Sequence, residues 1–289
     1  MLRRGQAAGS YTLGDLTVGR IGFGTKRLGK DRQHAVRLIR RAVELGVDHI
    51  DTAGWYPTYA DAGHAMHDSD ALHWANDVIR EALSPYRDDL VIATKVGPTE
   101  RGLARPEQLR GQVESNLRTL GRDRLDLVYL RQHGLDSITE HFAVLARLRD
   151  AGLIRHLGLS NVRTHHLAQA RSIAPVVAVQ NRYGVDFGRV NDEMLDTCGA
   201  QGIAFVPFFA LAGTGREIGG VVHNDAVNAF ARAHAASAAQ VRIAWTLSRG
   251  PHVLAIPGTG SLAHLAENLR AGELVEQPEI ASLRAADEA

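Results

Sequence analysis

The chain has 289 residues, 45% hydrophobic and 22% charged, which is ordinary globular composition with apolar content for either one large α/β barrel or two domains. Formal net charge is +1 with acids and bases interspersed, so no basic tail or patch points to nucleic acid or to a membrane surface. Neither residues 1–16 nor the most apolar stretch, 202–213, has the length and composition of a signal peptide or a bilayer span, which makes a cytoplasmic protein the default expectation.

In chain order, short apolar runs suited to buried strands fall at 21–23, 47–50, 90–94, 125–130, 153–159, 176–179, 203–206 and 252–256. Several follow an amphipathic stretch that ends in glycine, at Gly46, Gly121, Gly152, Gly202 and Gly250, where a helix C-terminus often needs a left-handed residue. Ala35, Val36, Ile39, Ala42 and Val43 recur at helical spacing after Asp31, a candidate N-cap. Leu109, Val113, Leu117 and Leu120 do the same after Pro106, a candidate first-turn proline. Eight strands alternating with helices are the arithmetic of a single (β/α)8 TIM barrel spanning residues 1–289, with a doubly wound open sheet as the structural alternative. The lone cysteine, Cys198, lies in a helical pattern and reads as core packing.

Chemistry concentrates just past the early strands. Asp51 and Tyr56, in Asp51-Thr52-Ala53-Gly54-Trp55-Tyr56, and Lys95, in Ala93-Thr94-Lys95-Val96-Gly97, all fall where barrel strands end and active sites form. An ammonium stabilises a neighbouring phenolate, and a carboxylate keeps that ammonium charged and in place, so the three together turn a tyrosine into a usable acid. The run Gly24-Thr25-Lys26-Arg27-Leu28-Gly29-Lys30-Asp31 matches a phosphate-binding P-loop except at its last position, where a carboxylate would face the phosphates. Helix capping explains Asp31 better, while Gly24 and Thr25 remain candidates for touching a cofactor's phosphates.

Four blocks resemble the aldo-keto reductase family: Ile50-Asp51-Thr52-Ala53 with Tyr56, the surroundings of Lys95, Gly158-Leu159-Ser160-Asn161 with Gln180, and Ile256-Pro257-Gly258 leading to Glu267-Asn268. The resemblance implies a TIM barrel that binds NADPH without a Rossmann domain and reduces a small-molecule aldehyde or ketone, as a monomer or small homo-oligomer. Position by position, Tyr56 would be the proton donor, with Lys95 and Asp51 tuning it. Ser160, Asn161 and Gln180 would hold the nicotinamide carboxamide and Phe208 would stack on the ring. Gly258, Thr259 and Ser261 would lie near the adenosine phosphates, and Glu267 and Asn268 near the adenine. His264 falls where relatives use arginine or glutamine beside the 2′-phosphate, so NADH is not excluded.

The fourth catalytic position departs from the family. Five residues after Asp126, where a histidine is usual, stands Arg131, and His133 is displaced by two strand residues, about 6 to 7 Å. Arg131 is therefore the expected partner of the substrate oxygen, against the alternative of an ion pair with a barrel carboxylate. Leu125-Asp126-Leu127-Val128-Tyr129-Leu130-Arg131, Val206-Pro207-Phe208-Phe209 and Ile256-Pro257-Gly258-Thr259 resemble the bacterial pyridoxal reductase branch, which implies reduction of pyridoxal to pyridoxine. An inserted loop at about 57–74 is longer than in that branch and reads as a solvated lid. It carries Tyr59, which lacks the family spacing of Tyr56, and His64 and His67, which lack a third ligand at a recognised spacing, so no metal is assigned. The alternative function is a nicotinamide-cofactor-binding redox sensor or regulatory module with slow turnover, as in the potassium-channel beta subunits that share the resemblance.

Overall fold

A computed structural model describes residues 7–57, 74–187, 189–211 and 223–283. It opens with a hairpin: β1 (Ser10–Leu13) pairs antiparallel with β2 (Leu16–Gly19) across the two-residue turn Gly14-Asp15. Leu13 and Val18 pack with Val91, Leu127, Ala204 and Leu254, residues at or near the starts of barrel strands, so the hairpin plugs the floor of the barrel.

The barrel strands are β3 (Phe23–Gly24), β4 (His49–Asp51) and β5 (Val91–Val96), then, after a minor hairpin of β6 (Pro98–Thr99) and β7 (Gly102–Leu103), β8 (Leu125–Arg131), β9 (Ile154–Ser160), β10 (Ala178–Gln180) and β11 (Ala204–Phe205). They lie parallel in the order β3-β4-β5-β8-β9-β10-β11. Residues 253–255 supply the eighth stave. Val253 bridges to Phe205 and Ala255 to Ile21, both parallel, which closes the sheet on itself and excludes the open-sheet alternative. Arg20 reinforces the closure: its guanidinium donates to the carbonyls of Val253, Leu247 and Gly250 at 3.1, 2.5 and 2.6 Å, and to that of Ala8 at 3.3 Å.

Helices α1 (Arg32–Glu44), α2 (Ala75–Leu83), α3 (Leu109–Leu120), α4 (Thr139–Asp150), α5 (Thr164–Arg171), α6 (Asp192–Ala200), α7 (Asp225–Ala233), α8 (Ala238–Ser248) and α9 (Leu262–Arg270) form the outer ring. The first starts where the sequence says, because Asp31 Oδ1 accepts the amide of His34 at 2.9 Å, and it buries Ala35, Val36, Leu38, Ile39 and Ala42 against the sheet. Burying each large side chain of that stripe contributes about 1.5 to 3 kcal/mol. Gly46, Gly121, Gly152 and Gly202 all take positive φ after their helices, as expected; Gly250 does not. Cys198 is buried in α6, and burial pushes its thiol up to about 12, consistent with packing rather than reactivity.

Strand-end register does the positioning. Gly24 lies opposite Asp51, Arg131 opposite Ser160, and Ser160 opposite Gln180, so the last residues of β3, β4, β8, β9 and β10, with Lys95 one residue short of the end of β5 between them, gather at the carboxyl rim. One layer below the rim, Tyr129 is wholly buried beside Gly158; a Cβ on that glycine would come within 2.6 Å of the tyrosine ring. His49 is equally buried, and neither ring nitrogen has a hydrogen-bond partner among the described residues.

Burial lowers His49 to about 4, with the Lys95 charge acting the same way and Asp51 opposing. Because the folded-state value lies below the ordinary 6.5, protonation favours the unfolded chain. The stability held by the neutral ring is complete above about pH 6.5 and is lost as pH falls toward 4, by about 3 kcal/mol. Urea titrations of the wild type and His49→Leu between pH 7 and 4 should show the wild type losing about that much more than the variant; parallel pH curves would contradict it.

Candidate active site

Asp51 ends β4 and Lys95 is the penultimate residue of β5, and their side chains meet at 2.6 Å with almost no exposure on either. Lys95 Nζ also donates to the Thr52 carbonyl at 2.9 Å, and Gln180 Nε2 reaches across the barrel to the other Asp51 oxygen at 2.5 Å. Both carboxylate oxygens are thereby satisfied, which is what allows a buried ion pair to persist. The loop after β4 folds back through a hydrogen bond from the Tyr56 amide to the Ala53 carbonyl, at 3.0 Å. That turn brings the Tyr56 ring under the ammonium, with Lys95 Nζ 5.0 Å from the ring centroid and Tyr56 only 8% exposed.

Tyr56 and Asp51 open onto a cleft of about 100 Å³, which Lys26, Phe208, Phe209 and Gly258 also line. Gly24 and Thr25 form its edge, and Thr25 Oγ1 donates to the Asp51 carbonyl at 3.0 Å. Gly24 and Gly258 pack backbone to backbone: a Cβ on Gly258 would lie 2.7 Å from the Gly24 carbonyl oxygen. Only glycines permit this approach of the first and last rim loops.

Of the residues expected to hold a cofactor, Ser160 and Gln180 sit side by side at the rim, and two of their buried atoms, Ser160 Oγ and Gln180 Oε1, have no hydrogen-bond partner among the described residues. Asn161 takes a left-handed backbone, φ 61, and its side-chain nitrogen donates to the Gln132 carbonyl at 3.1 Å. Thr259 and Ser261 lead into α9, where Ser261 Oγ accepts the amide of His264 at 3.4 Å and Thr259 Oγ1 accepts that of Ser261 at 3.1 Å. His264 is exposed on the first turn, Glu267 half-buried and Asn268 buried; these three lie on the flanking helix rather than on the cleft wall.

Arg131, the last residue of β8, packs its guanidinium 5.4 Å from the Phe208 ring centroid and has no carboxylate partner among the described residues. The ion-pair alternative is thus absent there, and His133 is exposed beyond the rim. Residues 58–73 of the long loop, with Tyr59, His64 and His67, fall outside the described residues. Sequence reasoning passed over Lys26 as part of a false P-loop and gave Tyr129 no role. For Lys26 the available signal was position alone, two residues past the end of β3 at Gly24. Tyr129 lies under Lys95, 6.0 Å from Nζ to centroid, and burial, with the Asp51 charge, holds its phenol well above the ordinary value.

Residues 20–288 match the model of the Aldo/keto reductase family. This chain belongs to the aldo-keto reductase family. Its sequence is 39% identical to pyridoxine 4-dehydrogenase of Escherichia coli over 96% of this chain and 97% of that one, and 32% identical to methylglyoxal reductase YeaE of the same organism over 88% and 86%. The solved structure of an aldo-keto reductase from Klebsiella pneumoniae in complex with NADPH superposes with a TM-score of 0.77 at 28% identity, covering 98% of this chain and 94% of that one. The (β/α)8 barrel is the aldo-keto reductase fold, and the protein is an NAD(P)H-dependent oxidoreductase. No helix among the described residues is long and apolar enough to cross a membrane.

Two buried polar atoms side by side, each still lacking a partner, are what a carboxamide needs. Its amino group can donate to Gln180 Oε1 and its carbonyl can accept from Ser160 Oγ, so this aldo-keto reductase presents a rim whose residues fit a nicotinamide.

Removing one partner of a buried pair typically costs about 3 to 5 kcal/mol, because the other charge is left stranded. Lys95→Met should therefore lower stability by that order, and the double variant Lys95→Met with Asp51→Asn should recover most of it. Guanidinium titrations of the two read this directly, and equal losses in both would show that the pair is not what holds the site.

Proposed function

We propose that the protein reduces an aldehyde to an alcohol with NADPH, using Tyr56 as the proton donor, and that pyridoxal is a substrate. The observation that carries this reading is the Tyr56 ring beneath a Lys95 ammonium whose charge is secured by Asp51, with Tyr56 and Asp51 at the wall of one cleft. Bound NADPH supplies the hydride that reaches the carbonyl carbon. The remaining work belongs to the chain.

Ser160 and Gln180, with Asn161 beside them, orient the nicotinamide by its carboxamide, and Phe208 covers the ring. Gly24, Thr25, Gly258, Thr259 and Ser261 accommodate the phosphates, and His264, Glu267 and Asn268 receive the adenosine end. As negative charge grows on the substrate oxygen, Tyr56 gives up its hydroxyl proton, and the nearby ammonium stabilises the phenolate left behind. Arg131 adds a permanent cation for the same oxygen. Apo geometries of this kind are commonly loose, so the approach of Lys95 over the ring face rather than to the hydroxyl is compatible with the role.

The choice of pyridoxal is supported by the 39% identity to pyridoxine 4-dehydrogenase, whose name describes the reverse direction of the same interconversion. Preference for NADPH is supported by the Klebsiella structure that carries it. Purified protein should oxidise NADPH with pyridoxal, and Tyr56→Phe should lose about 10²- to 10⁴-fold in kcat while retaining cofactor affinity by fluorescence titration. Full activity in that variant would remove Tyr56 from the mechanism. Turnover of other aldehydes but not of pyridoxal would leave the reductase and discard the vitamin.

A further inference from the structure

The cleft carries more positive charge than its own carboxylate neutralises. Asp51 is committed to Lys95 and Gln180. Lys26 and Arg131 have no carboxylate within ion-pairing distance among the described residues, and each lies over an aromatic ring instead. Lys26 Nζ is 5.3 Å from the Phe209 centroid and the Arg131 guanidinium 5.4 Å from that of Phe208, while the two rings meet edge to face with centroids 5.2 Å apart. Two cations thus bracket one aromatic corner in the wall that also holds Tyr56.

That corner is held against local preference. Phe209 has φ 63, a conformation that bulky residues rarely adopt and that costs about 1 to 3 kcal/mol. Lys26 keeps exposed surface, yet the protein around its ammonium displaces enough water to push its pKa down to about 8, with Arg131, Arg27 and Lys95 repelling it further. A lysine placed among three other cations, with no acid of its own beside it, gains most from an anion that arrives with a ligand.

We propose that Lys26 is the specificity-determining residue of the cleft, selecting carbonyl substrates that carry a second, anionic group, a carboxylate or a phosphate ester, away from the reacting carbonyl. The inference rests on the reductase reading for the reacting end and refines its substrate: pyridoxal carries neither group, so an aldehyde that does should be the better substrate. Arg131, next to Phe208 at the end of β8, serves the carbonyl oxygen; Lys26, across the aromatic corner in the loop after β3, serves the remote anion. The cofactor's own phosphates present the same chemistry. Lys26 stands over the Phe209 ring on the wall that holds Tyr56, with Gly24, Thr25 and Gly258 on the same cleft, so an effect on KM for NADPH separates the cofactor's phosphates from a substrate anion.

The test compares kcat/KM for 4-carboxybenzaldehyde over benzaldehyde, and for glyceraldehyde 3-phosphate over glyceraldehyde, in the wild type, Lys26→Met and Lys26→Arg, with KM for NADPH measured alongside. The wild type should favour the anionic member of at least one pair, by a ratio that falls tenfold or more in Lys26→Met and survives in Lys26→Arg. Whichever pair moves identifies the anion. The same preference should fade in the wild type as pH rises through about 8 and Lys26 loses its proton, and should persist there in Lys26→Arg. Calorimetric binding of 4-carboxybenzyl alcohol and of glycerol 3-phosphate to the NADPH complex, where no hydride acceptor is present, provides a readout independent of turnover, with at least one weakened tenfold by Lys26→Met. Unchanged ratios and affinities in Lys26→Met, or an effect confined to KM for NADPH, would overturn the proposal. Should Tyr56→Phe prove fully active, the proton-donor assignment fails while the binding measurement still decides Lys26.

Discussion

Two opposite charges 2.6 Å apart, nearly sealed from water, are the constraint around which this molecule is arranged. Taking such a pair out of solvent is unfavourable by several kcal/mol per ion unless geometry and hydrogen bonding restore what water gave. Here the restoration comes from separate places in the chain: Asp51 from β4, Lys95 from β5, the Thr52 carbonyl from the loop between, and the Gln180 amide from β10 on the far side of the barrel. Only a closed sheet brings β10 within reach of β4. The pair therefore depends on the seam that Val253, Ala255 and Arg20 close, and on the hairpin that keeps the floor dry.

Polarity changes with height in the barrel. The floor is apolar. The layer above it holds groups that can ionise in water but stay neutral here, His49 and Tyr129, each pushed toward its uncharged form chiefly by burial. The rim above carries a neutralised ion pair and then, at the mouth, Lys26 and Arg131, beside which no acid stands among the described residues. Charge is admitted only where it can be met, first by an internal partner and finally by whatever enters the cleft. The barrel itself is the one the aldo-keto reductases share. The mouth is where one member differs from another, and its side chains are supplied by loops that the scaffold leaves free.

Much of this was readable from residue order. The barrel strands declared themselves as short apolar runs bounded by glycines, because a stave buried on both faces has no polar alternation to disguise it. Asp51 and Lys95 could be placed at strand ends by counting, and Ser160, Gln180 and Arg131 through the family resemblance; register then brought them together. The floor hairpin escaped notice although Gly14-Asp15 between two short alternating segments is a recognised signal for one. Lys26 escaped for a different reason: a lysine in a glycine-rich loop looks like any solvated charge until the absence of a nearby acid can be seen. The left-handed backbone of Phe209 was likewise invisible, since its side chain argues against that conformation and only tertiary packing imposes it.

The contact between Tyr129 and Gly158 limits how this lineage can drift. A Cβ at position 158 would meet the tyrosine ring at 2.6 Å and the Ala178 carbonyl oxygen of β10 at 2.9 Å, so it would press on a side chain and on the neighbouring strand's backbone together. Shrinking the tyrosine first leaves a void beside the glycine but does not open the position, because the Ala178 carbonyl stays where strand pairing holds it. Descendants should therefore keep the glycine whether or not they keep the ring, since the adjacent backbone excludes a side chain there even where the aromatic packing is gone.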